Sequence, residues 1–355
     1  MDIDYIRSSS YNNWDFCQMQ YYLTYVLGIQ KPTPKSADKG TVVHKVMESL
    51  ALLNKNKKLF GKYAFSDDVC GNLEFSDDEW NKETRLSNTE VIIINNERSN
   101  PYTYKSSCKI QYPSTRVGVD VIKTLFDLSY NYYSSRSPVK WNETDRKDCW
   151  NWTWIPLEYK DGIFDPRKLN IVDAEPHFDL DVGQFSIKGT IDLVTSPNDE
   201  SIEIVDWKSG QRKNWATGKR KDYAALCNDF QLMLYFYAAK RLYPQYKYFS
   251  VTIFFIRDGG PFTVSFDDEH VSVVEEKLNA RYKEILNSSQ PMMCDPTQND
   301  VKCEKFCEFF KMKGDDGTNL CRFLHDKIAV EGIDAVTEKY KHESHSTKNY
   351  KAPGE

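Results

Sequence analysis

Two helical stretches open the chain. Ser8-Ser9-Ser10 offer hydroxyls that cap a helix, and the aromatic and Leu spacing behind them predicts helix over residues 8–27. Lys31-Pro32-Thr33-Pro34 breaks that run. Asp38 opens a second helix, about 39–57, in which Val42, Val43, Val46, Met47, Leu50 and Leu53 recur at the helical period. His44 and Glu48, four apart, share one face of it. From residue 171 the period changes to two. Ile171–Asp181, Gln184–Thr195 and Glu203–Lys208 read as strands, with Asp181-Val182-Gly183 and Ser196-Pro197-Asn198-Asp199 as the turns. A helix over about 222–242 follows, then a β-rich run, Tyr248–Arg257, closed by Asp258-Gly259-Gly260-Pro261, then an amphipathic helix over 268–287.

Residues 60–170 keep neither period for long. They mix acidic loops, a β-like run at Val91-Ile92-Ile93-Ile94 and a helix near 117–134. Four of the eight tryptophans, Trp141, Trp150, Trp152 and Trp154, fall here, and the stretch reads as a mostly helical insertion. The last fifteen residues are polar and read as a frayed tail. There is no internal repeat.

Composition narrows the classes. With 47 Lys+Arg against 52 Asp+Glu, the net charge of −5 excludes a globally basic nucleic-acid coat, so any grip on phosphates needs a local patch. Hydrophobic content of 40% in 355 residues is ample for a core. No apolar run approaches the ~18 residues of a membrane span. The opening Met-Asp-Ile-Asp is no secretory signal. Nine cysteines, an odd number, then point to a reducing compartment, the cytoplasm, with thiols buried, reactive or metal-bound. Cys17, Cys70, Cys108, Cys149 and Cys227 are scattered, whereas Cys294, Cys303, Cys307 and Cys321 crowd together.

The chemistry-bearing residues lie on the predicted strands. Asp206 and Lys208, two apart, point to the same face. If the second and third strands form a hairpin, Asp192, within the second, stands beside Asp206. The two carboxylates would repel each other, and a hard divalent cation would relieve the repulsion. Lys208 could position or deprotonate a water and stabilise charge on a phosphate. The plain alternative is a strand with surface ion pairs. The segment from Lys208 to Lys221 holds Arg212, Lys213, Lys219, Arg220 and Lys221 and no acid, which suits either a phosphate grip or a solvated loop. Gly218-Lys219 is no phosphate-binding loop, because Arg220 stands where Ser or Thr is required. With no ATPase motif, any motor would be a separate protein.

The order His44, Glu175, Gly189-x-x-Asp192, Asp206-x-Lys208 and Gln231-x-x-x-Tyr235 resembles the RecB-like branch of the PD-(D/E)XK nucleases. That branch includes the RecB and AddB nuclease domains and the CRISPR adaptation nucleases. Gly40-Thr41-Val42-Val43-His44 matches its histidine motif, Ala174-Glu175-Pro176-His177-Phe178 its glutamate-bearing strand, and Ser8–Tyr25 with Cys17 its opening helix. The resemblance spans most of 8–325 and says little about 60–170.

The resemblance implies an α/β fold with a restriction-endonuclease-like core: a central mixed sheet flanked by helices, a helical insertion and a C-terminal Cys-rich segment. Residues 1–60 would carry the N-terminal helices, 61–170 the insertion, 171–290 the nuclease core, 291–330 the Cys-rich segment and 331–355 the tail. It implies a Mg²⁺- or Mn²⁺-dependent DNA nuclease, an exonuclease on single-stranded ends, in phage or bacterial replication, recombination or repair. Its partners would be DNA and a separate helicase or recombination protein, with no membrane. His44, Asp192, Asp206 and the backbone carbonyl of Trp207 would hold the metal. Lys208 would orient the attacking water, Gln231 and Tyr235 would contact nucleic acid near the scissile phosphate, and Glu175 would support the site or the fold.

Cys17 with Cys303, Cys307 and Cys321 looks like the AddB arrangement, in which a [4Fe–4S] cluster staples the ends of the nuclease domain. Here the last spacings are wider than usual. Zinc and unliganded buried thiols are the competing readings, and Cys294 is a further candidate. The alternative to an enzyme is a non-catalytic nucleic-acid-binding or structural subunit with a nuclease fold. Intact Asp192, Asp206 and Lys208 argue against it.

Overall fold

The structure, a computed structural model, describes residues 1, 3–29, 34–65, 73–77, 90–96, 106–112, 121–213, 219–258, 260–294 and 300–341. Cys70, residues 214–218 of the basic segment and the polar tail from 342 onward lie outside the described residues. The chain forms two compact units. Met1–Pro32, His177–Thr190 and Asp267–Glu355 make the first, and Thr33–Pro176 and Ile191–Phe266 the second.

In chain order, the first unit starts with β1 (Tyr5–Ile6), α1 (Ser8–Phe16), α2 (Gln18–Tyr21) and a π-helical turn, Tyr22–Val26. The single helix expected over 8–27 is thus broken at Cys17, whose extended backbone (φ −168°) ends α1 and opens α2. The second unit follows with α3 (Lys35–Phe60), the hairpins β2 (Tyr63–Phe65)–β3 (Leu73–Phe75) and β4 (Glu90–Asn96)–β5 (Ser106–Tyr112), then α4 (Val121–Arg136), α5 (Glu143–Glu158) and β6 (Ile171–Ala174). Strands β7 (His177–Asp181) and β8 (Ser186–Thr190) belong to the first unit. The second unit resumes with β9 (Leu193–Asn198), β10 (Ser201–Lys208), α6 (Tyr223–Cys227), α7 (Phe230–Leu242), β11 (Tyr248–Phe255) and β12 (Gly260–Phe266). The first is completed by α8 (Glu269–Leu286), α9 (Asp300–Phe306), α10 (Glu308–Lys311), α11 (Leu320–Glu331) and α12 (Ile333–Tyr340).

The second unit holds a mixed five-stranded sheet in the order β12-β11-β10-β9-β6. Only β10 and β11 run parallel; the other neighbours are antiparallel. The first unit holds a three-stranded sheet, β1-β8-β7. The two long strands expected over 171–181 and 184–195 are therefore each split, at Glu175-Pro176 and at Ile191-Asp192. Pro176 has no N–H to give a ladder, and Glu175 takes a left-handed φ of 51°, rare for a residue with a side chain. The split is pinned by two backbone bonds, Glu175 N–H to the Asp192 carbonyl (3.0 Å) and Ile191 N–H to the Pro176 carbonyl (3.1 Å).

Helix α3 starts after Pro34, three residues before the expected Asp38, which instead sits in the first turn against the positive end of the dipole. Gly61 ends it in the left-handed conformation (φ 70°). Val42, Val43, Val46, Met47, Leu50 and Leu53 are all buried, with Val121, Leu125 and Phe126 of α4 and Leu193, Val205, Trp207 and Phe254 of the sheet in the same core. Burial of a side chain of this size contributes roughly 1.5–3 kcal/mol, far more than local helix propensity. The expected helix 222–242 breaks at Asn228, and the Asp229 carboxylate caps α7 by accepting from Gln231 N–H at 3.0 Å. The first unit has its own core of Trp14, Met19, Tyr21, Tyr22, Leu23, Phe309, Phe323, Leu324 and Val336. There the Tyr22 hydroxyl meets Thr337 Oγ1 at 2.8 Å.

Candidate active site

Strands β9 and β10 pair antiparallel with Leu193 opposite Val205, so Asp192 and Asp206 come next to one another along the same register. Asp192 is not inside a strand, as expected from the alternation, but lies just before β9 at the split. There its Oδ2 accepts the Trp207 backbone N–H at 2.8 Å. That N–H belongs to the residue before Lys208 and fixes the Asp192 carboxylate against β10.

Asp206 is 1% exposed. Its Oδ1 accepts from Lys208 Nζ at 3.0 Å and from Gln231 Nε2 at 3.3 Å. Lys208 Nζ also stands 2.8 Å from Oδ2, off hydrogen-bonding geometry, so this buried oxygen accepts no hydrogen bond. Burial pushes the Asp206 carboxyl up to about 6; Lys208 opposes the shift and the neighbouring Asp192 charge adds to it. Burial alone would raise Asp192 too, but the His44 and Lys208 charges and the Trp207 N–H hold it below its ordinary value. Burial would likewise depress Lys208, yet the two aspartates raise it. Lys208 is therefore a held cation that can orient a water or a phosphate oxygen.

His44 comes from α3. Its Nδ1 lies 3.4 Å from Asp192 Oδ2, and that charge raises the imidazole's pKa against the effect of burial. Gly40, one turn earlier, lets α3 come this close: a Cβ there would stand 2.3 Å from Ser209 Oγ, just past the end of β10. Gln231 and Tyr235 come from α7, one turn apart. Gln231 Nε2 donates to the Tyr235 hydroxyl at 2.7 Å and reaches Asp206, so both side chains are turned onto the carboxylate. Burial and the Asp206 charge raise Tyr235 well above the ordinary tyrosine value, so it stays protonated.

Glu175 does not join the aspartates. Its carboxyl neighbours Glu48 of α3, which pairs with Lys45 Nζ at 2.8 Å. Burial first, and the Glu175 carboxyl second, push Glu48 up to about 8. Lys45 and Glu48 were not among the expected site residues; the i, i+4 spacing of Glu48 from His44 was the available signal. In the basic segment, Arg220 pairs with Asp258 (3.3 Å) and Lys221 with Asp229 (2.8 Å), while the Arg212 guanidinium lies 4.2 Å over the Phe262 ring. Lys213 forms a β-bridge with Arg220. The acids absent from the local sequence are thus supplied by later elements.

Among the described residues no three His, Cys, Asp or Glu side chains are already disposed as ligands of one ion. Buried Asp206 with an oxygen that accepts no hydrogen bond, half-buried Asp192 and one imidazole nevertheless form a donor set suited to a hard divalent cation. In the first unit, Cys17, Cys294, Cys303, Cys307 and Cys321 line one small cavity of about 20 Å³. Burial, together with the neighbouring thiols, pushes Cys303 up to about 12 and Cys321 up to about 11.

A mixed sheet flanked by helices thus brings Asp192, Asp206 and Lys208 together at the end of its β10 strand. The chain belongs to the PD-(D/E)XK nuclease superfamily, whose model matches residues 8–89 and 134–311. Among solved structures it is similar to a candidate exonuclease from Eubacterium rectale, with 9% identity and a TM-score of 0.33, over 48% of this chain and 65% of that one. The chain thus spans about two thirds of that protein's length. No curated protein matches it. No described helix is long and apolar enough to cross a membrane.

Proposed function

We propose that this chain is a Mg²⁺- or Mn²⁺-dependent deoxyribonuclease of the RecB-like branch, an exonuclease acting on single-stranded DNA ends in replication, recombination or repair. The observation that carries the reading is the Asp192–Asp206 pair, with Lys208 salt-bridged to one member and Gln231 and Tyr235 turned onto it. His44, Asp192, Asp206 and the Trp207 carbonyl would hold the cation, which when bound supplies positive charge against the scissile phosphate. Lys208 orients the attacking water and balances charge on the phosphate. Gln231 and Tyr235 hold Asp206 in place beside the substrate.

The five cysteines support a thiolate-bound staple in the first unit, a [4Fe–4S] cluster held by Cys17, Cys303, Cys307 and Cys321, with Cys294 alongside. Their donor chemistry suits iron–sulfur or zinc alike.

The test is incubation of the purified chain with end-labelled linear single-stranded, linear duplex and circular single-stranded DNA, with Mn²⁺ or EDTA. Mn²⁺-dependent release of nucleotides from linear single strands, with circles spared and EDTA silencing the reaction, is expected. Absence of cleavage with every metal tried overturns the enzyme in favour of a nucleic-acid-binding scaffold.

A further inference from the structure

Three residues far apart in sequence meet in the second unit, beside the end of the strand that carries Asp206 and Lys208. Ile256 N–H donates to the Lys208 carbonyl at 3.0 Å, so Ile256 lies opposite Ser209 and Arg257 is the next residue beyond it. Ser209 is also the residue that Gly40 of α3 packs against, and Lys39 is its chain neighbour. Both cations reach one ring: Arg257 Cζ lies 4.9 Å, and Lys39 Nζ 5.1 Å, from the centre of the Trp152 ring on α5. Trp152 itself packs against the core.

The two cations are not equivalent. Lys39 is neutralised by Asp145 (3.2 Å) and Asp148 (2.6 Å). Arg257 is exposed and makes no ion pair or hydrogen bond among the described residues. An Arg at a strand end ordinarily finds a carboxylate or loses its order to solvent; this one is instead held over an aromatic ring that is itself anchored in the core. Such a guanidinium is a planar, charged surface whose side-chain entropy is already spent. Nucleobases stack on planes of this kind only when they are not paired, because a duplex buries its base faces.

We propose that Arg257, seated on Trp152, is a stacking shelf for an unpaired nucleobase of the strand entering the candidate active site, and so determines the preference for single-stranded over duplex DNA. This rests on the nuclease reading above and adds its substrate selectivity. A phosphate contact by Arg257 is the competing chemistry, and it makes the opposite prediction for a lysine.

The test is DNA binding by the full chain in EDTA, measured by anisotropy of a fluorescein-labelled oligo(dT), the same length of abasic strand, and a duplex. For Arg257→Lys and Trp152→Leu, oligo(dT) binding should weaken about tenfold, within the range for loss of one stacked base. Neither should change duplex or abasic binding. Arg257→Lys keeps the charge and touches no core residue, so it decides the matter even if Trp152→Leu is destabilised. Oligo(dT) binding by Arg257→Lys within twofold of wild type, or an equal loss on the abasic strand, overturns the shelf in favour of a phosphate contact or of no contact. Wild-type binding without cleavage in Mn²⁺ would sink the enzyme and leave the shelf standing. Wild-type protein that does not prefer oligo(dT) to duplex sinks the shelf.

Discussion

The carboxyl of Glu48 neighbours that of Glu175, and burial together with this second acid favours a proton on Glu48. Lys45, paired with Glu48 at 2.8 Å, balances the charge that remains. Through its own N–H, the left-handed Glu175 also grips the Asp192 carbonyl, so the acid pair buttresses the chain split that sets Asp192.

That proton gives stability a sign with pH. Folding raises Glu48 from an ordinary 4.5 to about 8, mainly by burial. The native state then holds more protons than the unfolded one between those values, so stability is full below about 4.5 and falls as pH rises towards about 8. Glu48→Gln mimics the protonated form. Thermal melts across pH 5–9 should show the wild type declining with pH and the variant nearly flat, the curves meeting at the acid end. A variant that declines as steeply as the wild type would place the titration elsewhere.

Loss of one charged group should stop turnover and leave the fold. Asp192→Asn, Asp206→Asn and Lys208→Met should each cut Mn²⁺-dependent cleavage by at least about 10²–10³, the usual effect of removing a group that stabilises charge in a transition state. The melting temperature should fall for Asp206→Asn as well, because buried Lys208 loses one of the two carboxylates that hold its charge. His44→Ala should weaken metal binding, read by titration of Mn²⁺ against rate. Full activity in Asp206→Asn is the result that removes the assignment.

Gly40 is tested by a pair of substitutions. Gly40→Ala puts a methyl 2.3 Å from Ser209 Oγ and 3.1 Å from its Cβ, an overpacking that costs about 1–3 kcal/mol. It should lower the melting temperature and the rate together, since α3 carries His44. Ser209→Ala removes the nearer atom. The double variant should therefore recover much of the loss, and strict additivity would show that the two residues do not meet.

The cysteine cavity predicts metal in the purified protein. Anaerobically prepared chain should be brown from iron–sulfur charge transfer, and Cys17→Ala, Cys303→Ala, Cys307→Ala or Cys321→Ala should each bleach it and lower the melting temperature. Cys227→Ala, in the other unit, should do neither. Zinc without iron on elemental analysis would keep the staple and change its chemistry; neither metal, in protein that melts normally, would remove it.

What the sequence made legible was what local spacing controls. The buried face of α3 follows from Val42 to Leu53 recurring at the helical period, and the Asp192–Asp206 pairing from a short turn that leaves one register open to β9 and β10. The splits at Glu175-Pro176 and Ile191-Asp192 were hidden because the alternation of apolar and polar residues runs straight through them, and only pairing partners reveal that it serves two sheets. The break of α1 at Cys17 was equally silent, since helical spacing resumes at once in α2. Partners supplied from far away were illegible altogether: Asp258 to Arg220, Trp152 to Arg257, and Glu175 to Glu48.

The division of the first unit among three separated segments bears on how the protein is made. Tyr22 finds Thr337 at a sequence separation of 315, so in a chain growing from its N-terminus the unit cannot close until α12 has been synthesised. At ~5–20 residues per second that wait is roughly 15–60 s. During it the second unit, complete at Phe266, has every segment it needs. Trp14, Met19, Tyr21 and Leu23, apolar and without their later partners, spend the interval as a ready target for chaperones or for a neighbouring nascent chain.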